Sequence, residues 1–302
     1  MGYESYLSYP IISMLTGIIL FFGVTFLGNL IIKYLFKKND TKNNLYFLNS
    51  SLIGSNALII LLFPIASFGF LDKNFLLLIS YLILLLGFFS LKNVLKIKYK
   101  YLIKFKLLSL LLLLFFLLAL SPVTHADSIA YHLNSAVNLI ETGSFSGSLL
   151  PMEIKTEGAG ELLIAIGLVV GSEQFGNLVQ YGGLLSIIAS FNNKTNNNYF
   201  LLLSVISVPC FIFLLSSPKP QLMQIANTLF VFSYLVSIKN IKNKLKNFII
   251  LSTLLTINFL SKFSFILSSL FLSVLLFKKL ATKKNIFKII ISIFLVTSLL
   301  II

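Results

Sequence analysis

Apolar runs long enough to cross a membrane recur along the whole sequence. Several cover about 17–25 residues, which as helix match the roughly 30 Å hydrocarbon layer of a bilayer. Barrel strands would alternate apolar and polar residues, and this alternation is absent. The runs occupy residues 10–36, 45–71, 75–91, 105–120, 162–191, 199–216, 221–238, 247–260, 263–277 and 285–302. The sequence therefore predicts an all-α fold, a polytopic transmembrane helical bundle of about ten spans.

Composition excludes a soluble globular protein. Hydrophobic residues make up 57% of the chain and charged residues 11%, and the mean hydropathy is +0.97, whereas soluble domains carry about 25% charged residues. No separate soluble domain is evident, so residues 1–302 are expected to form a single transmembrane domain. The first run lacks the basic start and the cleavage site of a signal peptide and is predicted to be retained. The last run reaches Ile302, as expected of a terminal span or of a fragment.

The basic residues orient the chain in the membrane. All 24 are lysines, and they fall between the apolar runs, which argues against nucleic-acid binding and for the positive-inside rule. If the N-terminus is outside, twenty lysines lie inside, and the four outside are Lys73, Lys155, Lys219 and Lys262. We therefore expect a multi-pass protein of the bacterial inner (plasma) membrane, with the N-terminus and residues 121–160 outside.

The same rule assigns the two ambiguous runs. Leu162–Phe191 must cross once, with an interruption at residues 171–174 that places Glu173 at the interface or in a cavity, because a charge facing lipid is costly. Phe248–Phe277 must instead form two short spans that turn at Ser261 and Lys262.

Residues 121–160 form the one long polar interval, an outer loop expected to carry the active site. It holds both histidines and four of the nine acidic residues. Thr124-His-Ala-Asp127 has the form of a capping box, so a helix is predicted to begin there and to end at Gly143. At 100° per residue this helix is amphipathic and is expected to lie on the membrane surface. Its polar face carries Asp127, Tyr131, Asn134 and Asn138, and its apolar face carries Ile129, Leu133, Ala136, Val137 and Ile140.

The titratable residues of this loop each allow two interpretations. Asp127 can be a helix cap, or a general base or metal ligand. His125 and His132 are seven residues apart, about 10 Å along a helix and too far to share one zinc ion, so they either pack at the interface or bond a substrate hydroxyl or phosphate. The remaining acids recur every four residues and are either solvated or stacked on one helical face: Glu153, Glu157 and Glu161.

Two stretches resemble bacterial integral-membrane glycosyltransferases of the GT-C superfamily, which include protein mannosyltransferase-like and lipid-linked-sugar transferases. The first is His125-Ala-Asp127-Ser-Ile-Ala-Tyr131-His132, and the second runs from Glu161 through Glu173 to Gln180. The resemblance implies that Asp127 is the catalytic base or a metal-binding carboxylate, with Tyr131 and His132 as its catalytic neighbours. It also implies a polyprenyl-phosphate-linked sugar as donor and a glycan or lipid as acceptor. A divalent metal is compatible with this family, and the sequence requires none.

The leading hypothesis is a membrane glycosyltransferase of cell-envelope polysaccharide or glycolipid assembly. The departing phosphate needs positive charge, for which Lys155, Lys219 and Lys262 are the outward candidates. His125, Glu153 and Glu157 are the remaining candidates for substrate binding. The alternatives are an O-antigen-type polysaccharide polymerase, a transporter or flippase of a lipid-linked or small solute, and a scaffold in which Asp127 only caps a helix.

Overall fold

The computed structural model of the chain describes residues 3–35, 48–94, 106–145, 158–191, 203–237 and 244–280. Within these ranges the regular structure is helical and no strand occurs, which confirms the predicted all-α class. The α-helices are α1 (Pro10–Leu35), α2 (Ser50–Ser67), α3 (Lys73–Val94), α4 (Lys106–Ala119), α5 (Asn134–Thr142), α6 (Glu161–Leu168), α7 (Gln174–Phe191), α8 (Cys210–Leu215), α9 (Gln221–Ser237), α10 (Lys244–Ser261) and α11 (Ile266–Leu280).

Three helices are long and apolar enough to cross a membrane. They are Pro10–Tyr34 in α1, Ser50–Ser67 in α2 and Lys73–Leu91 in α3. Shorter apolar helices lie at Lys106–Ala119, Gln221–Val236 and Lys246–Ser261. The structure thus supports a helical membrane protein at the level of these three candidate spans.

Close backbone approach joins the three long helices. Gly54 lies against the carbonyl of Val24, where a Cβ atom would come within 2.0 Å of the oxygen, and Gly28 lies against Ser50, so α1 and α2 run antiparallel. The hydroxyl of Ser90 donates to the carbonyl of Phe22, and Lys73, the first residue of α3, lies over the ring of Tyr6, which precedes α1. Small residues permit this close packing of apolar helices. Inside a bilayer, burial from water gives no driving force for helix association.

A network of buried amides connects α2, α9 and α10. Asn56 and Asn227 exchange two hydrogen bonds, of 2.8 and 3.0 Å, between their side chains. Asn227 also donates to Asn258 Oδ1 at 3.0 Å, and Asn258 donates to Thr228 Oγ1 at 3.0 Å. All three asparagines are buried, so the amides satisfy one another where water is absent.

The connecting segments at one end of the bundle contact each other, and we call this the loop end. Leu71 N–H donates to the Gly143 carbonyl, and Ala159 N–H donates to the Leu260 carbonyl. At the opposite end Lys246 lies 5.7 Å from the centre of the Tyr34 ring. The loop end comprises residues 3–9, 68–72, 120–127, 143–145, 158–160, 171–173, 216–220 and 261–265.

The predicted amphipathic helix is present with two corrections. Its C-terminus is confirmed, because Gly143 adopts a left-handed conformation with φ of 71°. Its first part, Ser128–Leu133, is a π-helix and not an α-helix, so the phase assumed from 100° per residue is interrupted. Its apolar face, including the buried Leu133 and Ile140, packs on α6 and the rest of the protein instead of a membrane surface.

Two of the predicted interruptions in the apolar runs are confirmed, and a third was not predicted. A turn containing Gly171, with φ of 88°, separates α6 from α7. A break at Ser261, followed by a short 3-10 helix at Phe263–Phe265, separates α10 from α11. Within the run at 199–216, a helical turn at 203–206 ends before Pro209 and α8 follows. Proline has no N–H to continue the hydrogen-bond ladder, which accounts for this third break.

Candidate functional site

An ion pair between Asp127 and Lys219 stands at the loop end. Lys219 Nζ donates to Asp127 Oδ2 at 3.0 Å, although 92 residues separate them in sequence. The Asp127 side chain is 66% exposed and the Lys219 side chain only 9%. The Lys219 ammonium also lies 4.9 Å from the centre of the Phe213 ring, so a carboxylate and an aromatic face share one nearly buried cation.

Lys219 determines the ionisation of Asp127. Its hydrogen bond and its positive charge hold the pKa of the Asp127 carboxyl below the ordinary value, with smaller contributions from His132 and His125. The carboxylate is therefore charged and hydrogen-bonded while the pair is intact, and it is a weaker base than a free aspartate.

The predicted capping box does not form. Asp127 has helical backbone angles and its side chain makes no capping hydrogen bond. The carboxylate instead turns to Lys219, which lies in the segment that enters α9. Of the two interpretations of Asp127, the helix-cap interpretation is therefore wrong.

His125 belongs to the same cluster. His125 Nε2 lies 2.8 Å from Ser216 Oγ, and its ring meets the Phe213 ring edge-on, with centroids 4.6 Å apart. Ser216 also lies within hydrogen-bond distance of the Ile212 carbonyl, at 3.1 Å. When the serine proton is donated to that carbonyl, His125 Nε2–H donates to Ser216. His125 and Lys219 thus contact the same phenyl ring.

His132 is buried and faces away from the solvent. Its Nδ1 atom lies 2.8 Å from Glu161 Oε1, and the other carboxylate oxygen of Glu161 accepts the N–H of Gly158 at 3.0 Å. Glu161 is only 2% exposed, so the expectation that it is a solvated charge is wrong. The pair fixes the π-helix against the start of α6. A π-helix is rare and often marks a functional site.

Glu173 is a second buried carboxyl near this cluster. It lies in the turn between α6 and α7 and accepts a hydrogen bond from the backbone N–H of Val123, which follows α4. Burial raises the pKa of the Glu173 carboxyl, and the Val123 hydrogen bond opposes that shift. Glu173 is 9% exposed, which agrees with the expected position off the lipid surface.

The remaining predicted site residues are Tyr131, Lys262, Glu153, Lys155 and Glu157. Tyr131 is half-buried within the π-helix, and Lys262 is half-buried after α10. Both have interaction partners of their own. Glu153, Lys155 and Glu157 lie outside the described residues. Among the residues described, no group of three or more histidine, cysteine or acidic side chains is arranged to hold a metal ion.

Sequence reasoning missed Ser216 and Phe213 and gave Glu161 no partner. The sequence signal for Ser216 was the Ser-Ser-Pro-Lys-Pro stretch at 216–220, in which two prolines flank the lysine and indicate an ordered turn. No sequence signal connects Glu161 with His132, because helix packing determines that contact.

Comparison with known proteins assigns the chain to a family. No curated protein and no solved structure matches the chain. The family model described as the DUF1420 N-terminal domain matches residues 1–105 and 88–302. Because these two matches together cover the whole chain, the protein belongs to the DUF1420 family.

Proposed function

We propose that the protein is a multi-pass membrane glycosyltransferase that uses a lipid-phosphate-linked sugar at its loop end. The observation that carries this proposal is the Asp127–Lys219 pair, in which an exposed carboxylate covers a nearly buried ammonium at 3.0 Å. Transfer from a sugar phosphate needs a base for the acceptor hydroxyl and a cation for the departing phosphate. These two groups stand next to each other here.

The proposed topology has about ten spans with the loop end outside the cell. In its support, Lys33, Lys246, Lys278 and Lys279 lie on the helix ends opposite the loop end. Lysines concentrate on the cytoplasmic side of membrane proteins. The loop end would then face the outer leaflet, where a polyprenyl-phosphate donor presents its sugar.

Lys219 would hold the donor phosphate. The chain contains no arginine, so a lysine point charge is the cation available for the phosphate. Asp127 occupies the ammonium in the structure, and the incoming phosphate would take over part of that contact. The carboxylate would lose its strongest partner, and the pKa of Asp127 would return towards its ordinary value. Donor binding would therefore make Asp127 a better base.

The reaction then follows from these two positions. The acceptor hydroxyl oxygen attacks the anomeric carbon while its proton passes to the Asp127 carboxylate. The bond between the anomeric carbon and the phosphate oxygen breaks, and its electron pair leaves on the phosphate, whose charge Lys219 neutralises. His125 contacts the Phe213 ring and the Ser216 hydroxyl, which precede Lys219 in the chain. It would help to hold the acceptor near Asp127.

The amide network between α2, α9 and α10 favours this proposal over a transporter. A transporter is expected to keep intramembrane polar groups turned towards a substrate path. The asparagines Asn56, Asn227 and Asn258 instead bond one another.

A complementation experiment tests the proposed function. The gene is deleted in its own host, and lipid-linked and surface glycans are profiled by mass spectrometry after complementation at matched membrane abundance. Wild type and the control Glu4→Gln, an exposed acid outside the cluster, should restore the profile. Asp127→Asn removes the base and should lower transfer by about 10²-fold or more, whereas Asp127→Glu should retain part of the activity. Full restoration by Asp127→Asn, or a deletion that leaves every glycan unchanged, would refute the proposal.

A further inference from the structure

A cavity opens at the loop end and shares no lining residue with the Asp127–Lys219 pair. Its volume is about 540 Å³. It lies between the α2–α3 turn, the end of α5 and the N-terminal segment, and its lining includes Tyr6, Asp72, Lys73 and Glu141. The cavity therefore offers both signs of charge within one small volume.

The charged groups of this cavity are fixed by neighbours within it. Lys73 Nζ lies 5.2 Å from the centre of the Tyr6 ring. Burial and the Glu141 carboxylate raise the pKa of the Tyr6 phenol, so the phenol stays protonated and donates to Glu141. Asp72 Oδ1 accepts the Phe75 N–H at 2.7 Å at the start of α3. The cavity thus presents two carboxylates and one ammonium at determined positions.

The cavity lies at the depth expected of lipid headgroups. α2 ends at Ser67 and α3 begins at Lys73, and both helices are candidate membrane spans. Their connecting turn therefore lies where hydrocarbon meets water. Phe68 is 54% exposed and Phe70 is 74% exposed, with ring centroids 6.5 Å apart. Exposed aromatic side chains at this level are typical of the membrane interface.

We propose that this cavity binds the headgroup of a zwitterionic phospholipid that carries a primary amine. The lipid phosphate would bind Lys73, and its ammonium would donate hydrogen bonds to Glu141 and Asp72. The acyl chains would run beside Phe68 and Phe70. A quaternary ammonium has no N–H to donate, and an anionic lipid without an amine would face two carboxylates. This proposal does not depend on the transfer reaction proposed for Asp127.

Native mass spectrometry of the purified full chain tests the headgroup proposal. Phosphatidylethanolamine, phosphatidylcholine and phosphatidylglycerol are offered at equal concentration. Phosphatidylethanolamine should be retained about tenfold more than either of the other two, because a charge-assisted hydrogen bond is worth about 1.5 kcal/mol or more. Glu141→Gln and Lys73→Gln should each abolish that preference. The controls Lys33→Gln, a lysine at the opposite end, and Glu4→Gln should keep it.

Several outcomes would overturn the headgroup proposal. These are equal retention of the three lipids, equal retention of the choline and ethanolamine lipids, a preference for phosphatidylglycerol, or an unchanged preference in Glu141→Gln. Thermal unfolding of each variant in detergent verifies that it is folded before its lipid retention is compared with that of wild type. Asp127→Asn should bind phosphatidylethanolamine as wild type does, so this proposal and the proposed transfer reaction can fail separately.

Discussion

Two side-chain pairs, each with one carboxylate, hold the same short stretch of chain, and they differ in how much water reaches them. Asp127 pairs with Lys219 at 3.0 Å and leaves its carboxylate 66% exposed. His132 pairs with Glu161 at 2.8 Å with side chains only 10% and 2% exposed. An open pair can exchange one partner for a ligand, whereas a closed pair keeps its partners. Under the proposed function, the open pair would act on the substrate and the closed pair would hold the helix in position.

The hydrogen bonds of the two acids support this division. Both carboxylate oxygens of Glu161 are occupied, one by His132 and the other by the Gly158 N–H. Asp127 receives its hydrogen bond from Lys219 on one oxygen, Oδ2, and faces solvent. A substrate can therefore approach Asp127, and it can approach Glu161 only if the fold opens.

Removing Glu161 should have the largest effect on stability. Glu161→Ala leaves the buried His132 ring and the part-buried Gly158 N–H without their carboxylate, and a buried polar group left without its partner costs about 1–3 kcal/mol. The free energy of unfolding in detergent should fall by that amount, and activity and membrane abundance should fall with it. The matched control is Glu4→Ala, an exposed acid, which should unfold as wild type does. An unchanged unfolding curve for Glu161→Ala would contradict the positioning role.

Acid should remove the contribution of the open pair. Because Lys219 lowers the pKa of Asp127 in the folded protein, the pair stabilises the fold above the unfolded pKa of the carboxyl, and this contribution is lost as the pH falls through the lower folded pKa. Wild type should therefore melt above Asp127→Asn at neutral pH, and the two melting temperatures should converge as the pH falls through the lowered folded pKa of Asp127. Melting curves measured across this range check the prediction. A gap that is independent of pH would show that charge pairing is not the cause.

Loss of the Ser216 hydroxyl should have the smallest effect. In Ser216→Ala, His125 loses a hydrogen bond of 2.8 Å, but its ring is half-buried and water can replace the serine. The free energy of unfolding should change by about 1 kcal/mol or less. The exposed Ser207→Ala in the preceding segment is the control. A loss as large as that of Glu161→Ala would place His125 among the positioning residues.

The sequence predicted the local features of this site better than its contacts. The helix end at Gly143 and the breaks beside Glu173 and Ser261 follow from turn and capping residues, whereas the helix begins near Asp127 without the predicted capping box. The partners of Asp127 and His132 do not, because they lie 92 and 29 residues away and meet through helix packing. Hydropathy identifies which segments are apolar and says nothing about which segments touch.

The π-helix at Ser128–Leu133 was also beyond sequence reasoning. Its residues fit an amphipathic pattern equally well at α-helical spacing, so periodicity could not reveal the wider turn. With the wider turn in place, His132 contacts Glu161 and Asp127 contacts Lys219, and both partners lie outside the segment. Only tertiary structure contains that information.

The amide network has a consequence for how the protein is made. Asn56 bonds to Asn227, which follows 171 residues later. Synthesis proceeds at about 5–20 residues per second, so α2 exists for roughly ten to thirty seconds before α9 emerges. Asn258 then follows after a further 31 residues. Until α9 arrives, the Asn56 amide has its hydrogen bond to the Leu52 carbonyl of its own helix and lacks its final partner.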